Sequence, residues 1–137
     1  MISSDLQLKS LKARGRVPFD FAQDRSATTR DFMTDKILVL TTAGSKDEAR
    51  RIGRALVERL LAACVNIVPQ VGSIYRWEGE IEEAEEWLLI IKTTGTAFER
   101  VRDAIVELHS YDVPECISVS IEDGSVGYLS WIGQSVK

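Results

Sequence analysis

The stretch Ser73–Thr94, SIYRWEGEIEEAEEWLLIIKTT, decides the fold. Two β-rich arms meet at Glu78–Gly79–Glu80, where Gly79 supplies the permissive backbone of a turn. The first arm starts upstream, in CVNIVPQVGSIYRW from Cys64 to Trp77. Pro69 and Gly72 predict a bend, bulge or edge position midway, because proline cannot donate to a ladder. The second arm ends in the apolar run Trp87–Ile91. Together they predict one long hairpin.

Working outward on the N-terminal side, KILVLTTA (36–43) is a continuous β-rich apolar run, as expected of a central strand. Ser45 and Glu48 then form an S-x-x-E capping box, so a helix starts there. Its apolar stripe runs through Ala49, Ile52, Leu56, Leu60 and Ala63. On the C-terminal side Thr96 and Glu99 form a second box, followed by Phe98, Val101, Ile105 and Leu108 at helical spacing. HSYDVPE (109–115) ends that helix, with Pro114 marking the stop. CISVSI (116–121) alternates Ile117, Val119 and Ile121 against Cys116, Ser118 and Ser120, a strand with one heavily apolar face. A short terminal helix carrying Leu129 and Ile132, anchored by Tyr128 and Trp131, closes the chain.

The predicted fold class is α+β: a ferredoxin-like split β-α-β-β-α-β sandwich with a short C-terminal helix, both main helices on one face of the sheet. The other face needs cover. The hairpin, with Tyr75, Trp77 and Trp87, extends beyond what so small a domain requires. A second chain is the simplest cover, so oligomerisation is expected.

The 137 residues suffice for one domain with a real core. No apolar run approaches the ~18 residues of a membrane span, so no membrane partner is expected. A net charge of −4 argues against nucleic-acid binding, which needs a basic face. The charge is uneven: residues 1–33 carry six Lys/Arg against four Asp, a balance of +2, and the remainder is −6. Residues 1–33 show neither helical nor strand period, mix Pro, Gly, Ser and Thr, and lack the apolar region of a secretory signal. They read as a disordered leader, and residues 34–137 as the folded domain. Cys64 and Cys116 are far apart without C-x-x-C spacing and read as reduced, buried thiols of a cytosolic protein.

Chemistry has few places to reside. His109, the sole histidine, and Glu115 offer imidazole and carboxylate to one transition metal ion. Equally, His109 stabilises a helix C-terminus and Glu115 accepts a backbone bond. The run Glu78–Glu86 is either a hard-cation surface or a charged strand end that resists sticking. Lys92, ending an apolar strand, contacts an anion or pairs with Glu115 or Glu78. Tyr75, Trp77 and Trp131 line a small pocket or pack in a core or interface. No arrangement activates a nucleophile, so an enzyme is not expected.

AACVNIVP, SIYRWEGEIEEAEEWLLIIKTT, HSYDVPE and YLSWI, in that order, resemble the CutA family of divalent-cation tolerance proteins. The resemblance spans about Asp35 to Gln134. It implies a ferredoxin-like subunit in a homotrimer built through its hairpin strands, a cytoplasmic location, and an association with copper and other divalent cations. Carried over residue by residue, the matches are Cys64 and Asn66; Tyr75, Trp77 and Glu78; Lys92; His109, Tyr111, Pro114 and Glu115; and Tyr128 and Trp131. They imply a weakly held divalent cation at His109 and Glu115, with no required cofactor. A ligand pocket between subunits of Tyr75, Trp77, Glu78, Lys92 and Tyr111, and a subunit interface of Tyr75, Trp77, Trp87 and Trp131, are expected with it. Some bacterial members carry a cysteine, a proposed copper ligand, where Thr41 stands here; without that thiolate a soft Cu(I) site loses its best donor. The alternative is a PII-like regulatory module binding a small anionic effector or nucleotide in the inter-subunit cleft, with Lys92 as the anion contact. The lack of a Gly-rich or strongly basic phosphate cradle argues against it. A third reading is an enzyme using the same cleft.

Overall fold

A computed structural model describes residues 34–137; the expected leader, 1–33, lies outside them. The chain forms β1 (Lys36–Ala43), α1 (Lys46–Glu58), β2 (Cys64–Trp77), β3 (Glu80–Thr94), α2 (Phe98–Leu108), β4 (Ile117–Ser120) and α3 (Val126–Ser135). The sheet order is β2-β3-β1-β4, with every neighbouring pair antiparallel. β1 and β2 therefore run parallel with β3 between them, the split β-α-β arrangement expected from the sequence.

Alternation along β1 and β3 separates two faces. Val39, Thr41 and Ala43 of β1, with Leu89, Ile91 and Thr93 of β3, are fully buried. Ala49, Ile52 and Leu56 of α1 and Val101, Ala104 and Ile105 of α2 complete this core. Gly53 lets α1 approach closely, since a Cβ there would stand 3.1 Å from Val65 Cγ1. The opposite face carries Leu38, Leu40, Ile90 and Lys92, all half-buried. Among the described residues, only its Lys36–Lys92 end is covered. There α3 lays its backbone at Gly133 against the Lys36 side chain, and Tyr128 meets Lys92.

The hairpin is as long as expected. It turns through Glu78 (φ 49°) and Gly79 (φ 84°). Two successive left-handed residues make the turn whose twist matches that of the strands. The predicted irregularity is a bulge between Val68 and Val71, where Gln70 has φ 59° after Pro69. β1 pairs with β3 only as far as Ala43 opposite Trp87. From Glu80 to Glu86, β3 is paired, among the described residues, with β2 alone, an arm of about 20 Å.

Three local expectations are corrected. The α1 stripe does not reach Leu60 and Ala63, because the helix ends at Glu58 and Leu60 turns left-handed. Leu61, Ala62 and Ala63 are buried nonetheless, because the turn folds back under the sheet, which prolonged the apolar period. The Thr96/Glu99 box is not formed, because Thr96 lies inside a 3₁₀ turn, Gly95–Ala97, and its hydroxyl bonds Thr94 Oγ1 at 3.2 Å. β4 is shorter than CISVSI, and Ile117 and Val119 are exposed on the half-open face opposite Leu40 and Leu38.

Candidate functional site

The best-organised polar cluster lies where α2 ends beside β1. α2 stops because His109 takes an extended backbone, still donating its N–H to Ile105 O at 2.9 Å. Its side chain is fully buried. Nε2 lies 2.7 Å from Thr42 O. A carbonyl can only accept, so Nε2 carries the proton and Nδ1 is left as an acceptor. Nδ1 receives the Tyr111 N–H at 3.1 Å. β4 pairs with β1 only through Leu40, so Thr42 O lies beyond its reach. Both nitrogens of the one histidine are thus occupied by backbone groups.

Glu48 sits beneath this loop. Ser45 caps α1 by accepting Glu48 N–H at 3.1 Å, but the Glu48 carboxylate does not complete the reciprocal box. It accepts Ser110 N–H at 2.7 Å, with His109 Nδ1 3.6 Å away. Burial alone would raise its pKa. The Ser110 hydrogen bonds first, and then the Gly44 backbone, hold it below the ordinary carboxylate range. Tyr111 extends the cluster to β3. Its hydroxyl donates to Glu86 Oε2 at 2.7 Å. Burial first, then the hydrogen bond and charge of Glu86, push the phenol well above its ordinary range. Gly44 makes room, since a Cβ there would stand 3.1 Å from Tyr111 Oη.

Glu115 is exposed and, among the described residues, is not bonded to the imidazole; its charge is felt at Cys116. Burial pushes that thiol up, with Arg102 opposing and Glu115 adding. Among the described residues no group of three or more His, Cys, Asp or Glu is arranged to hold a metal ion.

The predicted pocket residues are spread along the hairpin. Tyr111 belongs to the cluster, Tyr75 pairs with Glu82 on the arm, Trp77 pairs with Glu80, and Glu78 is in the turn. Lys92 pairs with Cys64 at the far end. From Glu82 to Lys92 is about 33 Å of strand. Within one chain, Lys92 therefore cannot share a pocket with Tyr75 or Trp77. Lys92 Nζ donates to Tyr128 Oη at 3.3 Å and lies 5.6 Å from that ring's centroid. Trp131 stacks obliquely on Tyr128, centroids 5.3 Å apart, and Trp87 packs against the helix-side core. Thr41 is buried on the helix side, its hydroxyl without a hydrogen-bond partner among the described residues.

Sequence reasoning missed Glu48 and Glu86. The capping motif hid Glu48 by explaining it fully. Glu86 is one of six glutamates between 78 and 86, yet only 7 % exposed. Its place immediately before the apolar run was the available signal.

The fold and cluster define a small ferredoxin-like α+β protein with a projecting hairpin and a polar clamp at one sheet end. The family model described as CutA1 divalent ion tolerance protein matches residues 37–135. The chain belongs to that family. It is 48% identical over 98 residues to the divalent-cation tolerance protein CutA of Thermus thermophilus, covering 72% of this chain and 95% of that one. A solved structure of the Thermus thermophilus protein matches with a TM-score of 0.73 at 46% identity, over 74% of this chain and 99% of that one. The CutA structure from Archaeoglobus fulgidus matches with a TM-score of 0.73 at 42% identity, over 74% and 99%. The PII-like alternative is not favoured by these matches.

The expected cytoplasmic location is overturned. Relatives from Arabidopsis thaliana and Oryza sativa are named chloroplastic, and the Archaeoglobus fulgidus protein is described as periplasmic. Among the described residues no helix is long and apolar enough to cross a membrane.

Proposed function

We propose that this chain acts in divalent-cation tolerance as a homotrimeric, non-enzymatic binding protein, with copper or a similar divalent ion as a weakly held ligand. The supporting observation is the projecting hairpin arm beside a half-open sheet face. Ile74 and Ile81 on the arm are 71% and 67% exposed, and Ile117 and Val119 on the sheet are also exposed. Burying both sets between copies removes apolar area from water at about 25 cal/mol per Å². The mixed pocket of Tyr75, Trp77, Glu78, Lys92 and Tyr111 is possible only between chains. The non-enzymatic part of this reading is supported by His109, whose two ring nitrogens are spent on backbone groups rather than poised for proton transfer.

In this reading His109 and Glu115 contact the cation, on terms that make binding weak. The Nδ1 lone pair must first release Tyr111 N–H, and the exposed Glu115 must swing towards it. Sedimentation measures the assembly, and calorimetric titration with Cu²⁺ and Zn²⁺ measures the binding. A trimer that binds weakly, with binding lost in His109→Ala, is expected. A monomer would sink the assembly, and binding unchanged in His109→Ala would sink the cation contact.

A further inference from the structure

We infer that Lys92 is completed by a glutamate carboxylate from the hairpin arm of a second copy; this rests on the self-association proposed above. Lys92 is a half-buried ammonium on an apolar sheet face, flanked by Leu38 and Cys64. Its neighbour Lys36 is already paired with Asp35. Among the described residues Lys92 has no carboxylate partner, only the hydroxyl and ring of Tyr128. An ammonium withdrawn from water needs an opposite charge.

The site has the donors for a carboxylate. Lys92 donates to Tyr128 Oη, so the phenolic proton is free to point elsewhere. A carboxylate takes one hydrogen bond from the ammonium and one from the phenol, using both oxygens.

The arm has the matching charge. Glu78, Glu80, Glu83 and Glu85 are exposed there, with no cationic partner among the described residues. The lengths also agree. The arm runs about 20 Å from Glu80 to Glu86, and the sheet from Trp87 to Lys92 about 17 Å. An arm laid over a neighbour's half-open face covers its apolar residues and carries acidic groups to Lys92. Within the chain the same arm points away from Lys92 along β3 and cannot fold back on it.

Zero-length carbodiimide coupling tests this on the unaltered full chain. It joins an amine to a carboxylate only when the two are already in contact. Mixed ¹⁵N-labelled and unlabelled chains identify links between copies by mass spectrometry. An inter-chain amide between Lys92 and a glutamate of 78–86 is expected. In parallel, Lys92→Glu should raise the subunit dissociation constant at least about tenfold while Lys92→Arg leaves it nearly unchanged, since charge reversal sets like charges together. A multimer without a Lys92 link, or with Lys92 linked to Glu115 or within its own chain, overturns the assignment and leaves the assembly standing. A monomeric mass removes the assembly itself.

Discussion

The two faces of the sheet are cut from the same strands yet finished differently. On the helix side, Val39, Leu89 and Ile91 have no exposure at all. One residue along, Leu38, Leu40 and Ile90 are only half-buried. Propensity does not distinguish them, since both sets are β-branched or leucine. What differs, among the described residues, is the cover: α1 and α2 close one face, while α3 closes only an end of the other. Hydrophobicity in a strand therefore does not by itself say whether the chain's own helices cover that surface.

The sharpest test sets one face against the other. Ile91→Ala should cost about 2–5 kcal/mol by denaturant unfolding, as expected for a large-to-small change in a closed core. Ile90→Ala should cost clearly less at concentrations where the chain is monomeric, and more as the chain assembles. Equal losses in the monomer would erase the distinction.

The polar clamp comes next. Tyr111→Phe removes the donor to a buried carboxylate and should cost about 1.5–3 kcal/mol. Because folding raises the Tyr111 pKa, its contribution is fully present below the unfolded value near 10 and declines as pH rises through the folded one. The gap between wild type and Tyr111→Phe should thus narrow above about pH 10. Glu48 acts at the other end of the scale. Its pKa is lowered, so its contribution is present above the unfolded value near 4.5 and is lost as pH falls through the folded value. Glu48→Gln should flatten the acid limb of a stability-against-pH curve, and an unchanged limb would remove Glu48 from the clamp's energetics.

The smallest effects come from two threonines on the helix side. Thr93 Oγ1 donates to Leu61 O at 2.6 Å, so Thr93→Val should cost about 1 kcal/mol. The Thr41 hydroxyl is orphaned, so Thr41→Val should be neutral or stabilising by about 1 kcal/mol. Thermal melts of the two variants should move in opposite directions, or at least unequally in that sense.

Strand and helix order was legible because each element carries its own period and punctuation, above all Pro69, Gly79 and Ser45. The Glu78–Gly79 turn and the bulge after Pro69 followed from single-residue chemistry. The clamp was not legible. Glu48, Ser110 and Tyr111 come from different elements, and nothing in the spacing of 48 to 110 announces that a capping glutamate spends its carboxylate on a distant loop. His109 was visible as a residue but not as a bond, since its partner, Thr42 O, is backbone and leaves no mark in sequence. Lys92 and Tyr75 looked like neighbours in a pocket, and only the register separates them by most of a strand.

The bond from His109 to Thr42 O also bears on solubility. β4 covers only Ile37–Leu40 of β1, so the remaining stretch to Ala43 would offer unpaired backbone to any incoming strand. The imidazole plugs that stretch, with the ring of Tyr111 stacked behind it at 4.6 Å. His109→Ala would leave a carbonyl unmet and a short β-template open. Its first symptom would be slow aggregation at high concentration, appearing before any loss of secondary structure.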